Sequence, residues 1–285
     1  MEQALSKVLP EPAGPQADIL EAMRYAVLGG GKRLRPFLLI ETARMLGGAD
    51  EGAVLAACAL ECVHVYSLIH DDLPCMDDDD LRRGKPTVHK VYDEAMAVLC
   101  GDALLTLAFE ILARPEIHVD VNIRLKLLSN LAVASGTQGM IGGQVMDIYA
   151  PNYSSIQKQD EALITQLQAL KTGALIQYAV QSGGHLAGAS EVDLQNLRVY
   201  ADALGLAFQI RDDILDAEGD AQEMGKAAGK DAGLGKATFV SIHGLEGAKQ
   251  KAAILGEQAK AALAVYGAKA DILCSTVDFV LNRKK

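Results

Sequence analysis

The sequence has no tryptophan, and of its 285 residues only five are phenylalanine and eight tyrosine. Strands favour aromatic and β-branched residues, so a half-apolar chain built largely from Ala and Leu points to helices. Cysteine is also sparse. Cys58, Cys62, Cys75, Cys100 and Cys274 are odd in number and form no C-x-x-C pair, and nothing in them suggests a disulfide framework. Positive charge is in deficit: the formal net charge is −10, so neither nucleic acid nor an anionic membrane is the expected partner. Long apolar runs are interrupted by Glu61, Asp102 and Glu110, and no membrane span is expected. Residues 1–17 carry no basic-then-apolar leader pattern, and a cytoplasmic protein follows as the expectation.

Period-two alternation is missing as well. Apolar residues recur at helical spacing, predicting helices over 17–28, 33–47, 51–72, 88–113, 120–149, 158–185, 191–217, 238–262 and 269–282. Gly29-Gly30-Gly31, Gly47-Gly48, Pro74, Gly84-Lys85-Pro86, Pro151-Asn152 and Gly183-Gly184 punctuate them. Long helices on short connections predict an all-α fold, a single antiparallel bundle of about ten or more helices around a central apolar cavity. No linker or repeat divides it, so residues 1–285 read as one domain. The stretch 219–237 differs: it is rich in Gly and Lys, lacks an apolar stripe, and reads as a loop or lid.

What the sequence has in plenty is clustered aspartate. His70-Asp71-Asp72-Leu73-Pro74-Cys75-Met76-Asp77-Asp78-Asp79-Asp80 puts six carboxylates in ten residues at the end of an apolar helix. Such a cluster facing a cavity needs cations to coexist. Pro74 disfavours helical geometry at Leu73, so a bulge there can bring Asp71 and Asp77 onto one side. A solvated acidic helix end is the plain alternative. An EF-hand does not fit, because the third, fifth and twelfth positions counted from Asp71 lack the required acids. The second cluster, Phe208-Gln209-Ile210-Arg211-Asp212-Asp213-Ile214-Leu215-Asp216, puts Asp212 and Asp216 on one helix face. Two such clusters, each beside basic residues, suit oxygen-ligated Mg²⁺ with positions left for phosphate.

Together these motifs resemble the trans-polyprenyl diphosphate synthase family, closest to its bacterial farnesyl diphosphate synthase type. The resemblance runs in order through GGGKRLRP at 29–36, HDDLPCMDDDDLRRGKPT at 70–87, GGQVMD at 142–147, KTG at 171–173, FQIRDDILD at 208–216 and GKATF at 235–239. It implies a prenyltransferase that condenses isopentenyl diphosphate with dimethylallyl and then geranyl diphosphate. Geranyl or geranylgeranyl diphosphate as product, a terpene cyclase and a non-catalytic subunit of a heteromeric synthase are the alternatives. Asp71, Asp72, Asp77 and Asp212 match the family's metal ligands, with three Mg²⁺ ions when substrate is bound and Mn²⁺ able to substitute. Lys32, Arg35, His64 and Arg83 match the isopentenyl diphosphate site. Arg82, Lys171, Thr172, Gln209, Lys226 and Lys236 match the allylic site, and Asp213 joins the catalytic set. Gln144 and Asp147 match a supporting GQxxD pattern. Tyr66, five residues before Asp71, matches the residue that ends chain growth at fifteen carbons. A homodimer is implied. Departures from the family pattern lie in KATFVS and in the tail Asn282-Arg283-Lys284-Lys285.

Overall fold

The computed structural model describes residues 1–149, 161–219 and 238–283, and these are helical apart from connections and one short ribbon. The chain falls into two compact units, Met1–Ser129 and Asn130–Lys285.

The first unit contains α1 (Glu2–Val8), α2 (Ala17–Val27), α3 (Leu34–Met45), α4 (Asp50–Asp71), the strands β1 (Leu81–Arg82) and β2 (Lys85–Pro86), α5 (Val88–Val91) and α6 (Glu94–Ala113). α4 is apolar on nearly every side and is the core helix, with Ala53, Ala57, Leu60 and Val63 fully buried and α3 and α6 packed on it. The stretch 88–113 is two helices rather than one. The backbone turns out of helical geometry at Tyr92, and Asp93 caps α6 by accepting the Met96 amide at 2.7 Å. α1 and the ribbon are too short to leave a readable apolar period.

α7 (Val121–Ser135) is followed by a turn at 136–139, so the expected helix 120–149 is also divided. The Gly139 amide closes that turn on the Gly136 carbonyl at 3.0 Å. The second unit continues with α8 (Met140–Tyr149), α9 (Glu161–Gln168), a π-helical turn (Ala169–Gly173), α10 (Ala174–Leu186), α11 (Glu191–Glu218), α12 (Phe239–Ala262) and α13 (Asp271–Asn282). Capping boxes start α11 at Ser190 and Asp193 and α12 at Thr238 and Ser241. Ile164, Ile210, Ile214 and Phe239 form an apolar core among α9, α11 and α12. Of the expected lid, only Gly219 is described; Lys226 and Lys236 lie outside the described residues.

By length and composition α4 and α6 are apolar enough to cross a membrane, contrary to the reading from Glu61, Asp102 and Glu110. Their burial differs. The most apolar window of α4 is 72 % buried, whereas that of α6 is 44 % buried and leaves Val98 and Leu99 exposed.

Candidate functional site

In the first unit the glycine-rich turn has positive φ at Gly30 (95°), Gly31 (139°) and Arg33 (49°). The first two suit glycine; the third is a left-handed arginine that caps α3. Arg33 is pinned by three groups. It donates to Glu61 Oε1 at 2.5 Å, to Glu2 Oε1 at 2.7 Å and to the Val27 carbonyl at 2.6 Å. Glu61 is buried, so this arginine serves as its counter-charge. Lys32 is exposed and Arg35 half-buried on either side of it. His64 is held well below the usual imidazole range by burial and then by Arg35, Arg83, Arg82 and Arg33, so it is neutral near neutral pH. A neutral imidazole amid guanidinium groups is a surround that favours an anion.

Past Asp71 the chain makes the bulge that Pro74 implies. The Asp77 amide returns to the Asp71 carbonyl at 2.8 Å, and the Asp78 amide reaches the Leu73 carbonyl at 3.1 Å. Two aspartates six apart in sequence thereby become backbone neighbours, which an unbroken helix would not allow. Asp72 is almost fully buried and is engaged by Arg82, whose Nε donates to its oxygens at 2.9 and 3.1 Å. Among the described residues no three acidic, histidine or cysteine side chains converge into a ready metal cage. Mg²⁺ does not need one, because it binds through one or two carboxylates with water and substrate phosphate completing the shell.

The ribbon explains why Arg82 and Arg83 diverge. Positive φ at Arg83 (55°) and Gly84 (76°) makes a two-residue turn of the I′ kind. Arg82, on β1, meets Asp72; Arg83, in the turn, donates to the Gly30 carbonyl and lies against Gly31. A Cβ on Gly31 would sit 2.5 Å from the tip of the Arg83 side chain, which can swing aside, so it is the φ of 139° that calls for glycine. Burial, ahead of the neighbouring arginines, lowers the Arg83 pKa. A pocket in this unit is walled by Asp72, Arg82, Arg83 and Lys85 over Val65 and Leu68. Lys85 was not singled out from the sequence, where it reads as part of a turn.

Tyr66 is buried on α4, edge-on to His70 with ring centroids 5.7 Å apart. Its hydroxyl has no hydrogen bond, and burial, followed by Asp71, pushes its pKa up to about 12. His70 is fixed by donating from Nε2 to the Val98 carbonyl at 3.0 Å.

In the second unit Lys171 and Thr172 lie in the π-helical turn. Such turns frequently mark functional sites, since they re-aim side chains from a helix. Lys171 Nζ donates to Asp147 Oδ2 at 2.6 Å, which gives the Asp of GGQVMD a specific task. Thr172 Oγ1 donates to Gln209 Oε1 at 3.2 Å, and Gln209 Nε2 donates to Asp213 Oδ1 at 3.3 Å. Asp213 Oδ2 accepts the Phe239 amide at 2.9 Å. Asp213 is therefore buried in the bond that starts α12, while Asp212, beside it, is partly exposed. This chain of bonds fixes which way the Gln209 amide points.

The polyprenyl synthetase family model matches residues 16–270. This chain belongs to the polyprenyl synthetase family. The farnesyl diphosphate synthase of Escherichia coli (strain K12) is 43 % identical, over 99 % of this chain and 95 % of that protein. The geranylgeranyl diphosphate synthase of Cyanophora paradoxa is 42 % identical, over 99 % and 93 %. The solved apo structure of an FPP/GFPP synthase from Zymomonas mobilis superposes with a TM-score of 0.90 at 48 % identity, covering 98 % of this chain and 94 % of that one.

The polyprenyl synthetase fold thus carries the all-α reading through. Within the first unit Lys32, Arg35, His64, Arg82 and Arg83 lie on the Gly-rich turn, α3, α4 and the ribbon, and the charges of four arginines help to keep His64 neutral. Within the second, Lys171, Thr172, Gln209 and Asp213 join in the π turn and α11.

Proposed function

We propose that this prenyltransferase condenses isopentenyl diphosphate with dimethylallyl and then geranyl diphosphate to give farnesyl diphosphate and pyrophosphate. The observation that carries the reading is the Asp77-to-Asp71 backbone bond at the end of the helix that carries His64. His64 and Asp71 then stand on one helix, α4, with Asp77 tied back to its end. Asp71, Asp72, Asp77 and Asp212 would hold Mg²⁺, three ions with substrate bound or Mn²⁺ in their place, supplying positive charge to the departing diphosphate. Lys32, Arg35, His64 and Arg83 hold isopentenyl diphosphate, Arg83 gripping phosphate oxygens through its planar fork. Arg82, Lys171, Lys226 and Lys236 bind the allylic diphosphate and gain most as its C–O bond breaks, which is binding that accelerates. Thr172 and Gln209 turn polar oxygens toward the developing allylic cation, and Asp213 orients Gln209. Asp147 holds the Lys171 ammonium. The apolar walls exclude water, which would otherwise quench the cation.

A homodimer is part of this proposal, supported by the exposed apolar residues Val98 and Leu99 on α6. The continuous family match over residues 16–270 supports reading the chain as one domain. A cytoplasmic location remains part of this proposal.

Purified protein with Mg²⁺, isopentenyl diphosphate and geranyl diphosphate should yield farnesyl diphosphate by mass spectrometry, and excess chelator should abolish it. Full turnover under chelator would overturn the metal assignment.

Tyr66 sets the length in this reading. Tyr66→Ala is expected to shift the product to twenty carbons or more and to cost about 3 kcal/mol of stability. Tyr66→Phe removes only an unpaired hydroxyl, so it should keep the fifteen-carbon product with stability equal or higher. An unchanged product from folded Tyr66→Ala would hand the role to another residue.

A further inference from the structure

Asp212 already carries a cation. Arg283, directly after α13, donates from Nη2 to Asp212 Oδ1 at 2.6 Å and to the Phe208 carbonyl at 2.9 Å. Its guanidinium lies 3.8 Å from the centre of the Phe208 ring. Arg211 in turn donates at 3.2 and 2.8 Å to the Arg283 carbonyl, so the backbone is tied as well as the side chain. Arg283 is 7 % exposed, and arginine is rarely so buried without a partner. Yet its Nε is buried without a hydrogen bond, so the placement leaves one donor unsatisfied.

A clamp fastening α13 to α11 would be one use of this arginine. That fastening is already made elsewhere, by the Tyr200 hydroxyl on the Leu273 carbonyl at 3.0 Å and by the apolar contacts of Leu273 and Val277. What Arg283 adds is a positive charge on a carboxylate oxygen of the second aspartate cluster. A guanidinium there and a divalent ion on the same carboxylate repel at short range, whether the ion displaces the arginine or shares Asp212 with it.

We infer that Arg283 is a resident counter-cation that opposes divalent metal at Asp212, so that the second cluster takes metal weakly until a diphosphate brings compensating negative charge. This rests on the reading of Asp212 as a metal ligand. The consequence is a built-in linkage: metal and diphosphate each raise the affinity of the other, and Arg283 enlarges that coupling.

The test is Mn²⁺ binding to the full chain, followed by electron paramagnetic resonance, with and without inorganic pyrophosphate. Wild type is compared with Arg283→Met, Arg283→Gln, Asp212→Asn and the Asp212→Asn/Arg283→Met pair, each checked for folding by circular dichroism. Without pyrophosphate, Arg283→Met and Arg283→Gln should tighten Mn²⁺ binding about tenfold, the equivalent of about 1.4 kcal/mol. The enhancement by pyrophosphate should shrink, and the gain should vanish in the Asp212→Asn background. If both folded neutral variants bind Mn²⁺ as wild type does, or more weakly, while Asp212→Asn loses affinity, Arg283 is a clamp and the inference is wrong. If Asp212→Asn leaves Mn²⁺ binding with pyrophosphate unchanged, the ligand reading fails and takes the inference with it.

Discussion

Asp71→Ala is expected to lower turnover about a thousandfold or more while leaving the helical circular dichroism spectrum and the melting temperature close to wild type. Asp71 ends α4, and its side chain is only half-buried, so its removal leaves no large void. Its carbonyl, which receives the Asp77 amide at 2.8 Å, belongs to the backbone and survives the substitution. The bulge should therefore persist and only the carboxylate be lost. Leaving-group stabilisation is a transition-state interaction, so kcat should fall more than KM rises. Steady-state kinetics over a range of Mg²⁺ concentrations would decide it. Near wild-type turnover from a folded variant would remove Asp71 from the metal set.

Gly143→Ala is the second substitution with a large expected effect, and here the cause is steric. A methyl group at this position would lie 2.2 Å from the Lys171 backbone nitrogen and 2.6 Å from its Cα. Those are backbone atoms of the π-helical turn and cannot swing aside as a side chain tip would. Either α8 or the turn must shift, at a cost of about 1–3 kcal/mol. Because Lys171 and Thr172 sit on that turn, a displacement of about 1 Å should reduce turnover about a hundredfold. Measuring kcat and melting temperature together separates the two effects. A variant that melts earlier yet turns over normally would show that the π turn does not position the reactive groups.

Much of the site was legible in one dimension because its chemistry demands rare compositions. Six carboxylates in ten residues cannot be neutral packing, and Pro74 announced the bulge that ties Asp77 to Asp71. The divergence of Arg82 and Arg83 was also readable, since adjacent side chains cannot share a direction. Helix limits were readable where an apolar period met a strong stop, as at α2 and α11. They were misread where a polar residue breaks the helix without breaking the apolar period. Asp93 does so before α6, and the 136–139 turn does so between α7 and α8. The interruption at Glu61 is a different case, because a buried acid can be neutralised by a partner far along the chain, whereas Asp102 and Glu110 are exposed on α6.

By itself, then, the sequence determined the helical class, the two carboxylate clusters, the basic groups available to meet phosphate and the family. These are properties of residue type and spacing. Only the tertiary structure decided which charge meets which. It assigned Arg33 to Glu61, gave Asp72 to Arg82, tied Lys171 to Asp147, and turned Asp213 inward to start α12. It also laid Arg283 on Asp212, 71 residues away. The physical reason is that a local pattern specifies a side chain's chemistry and the face it takes on its helix. The partner of a charge depends on which helices pack together, and that is settled by burial summed over a whole core.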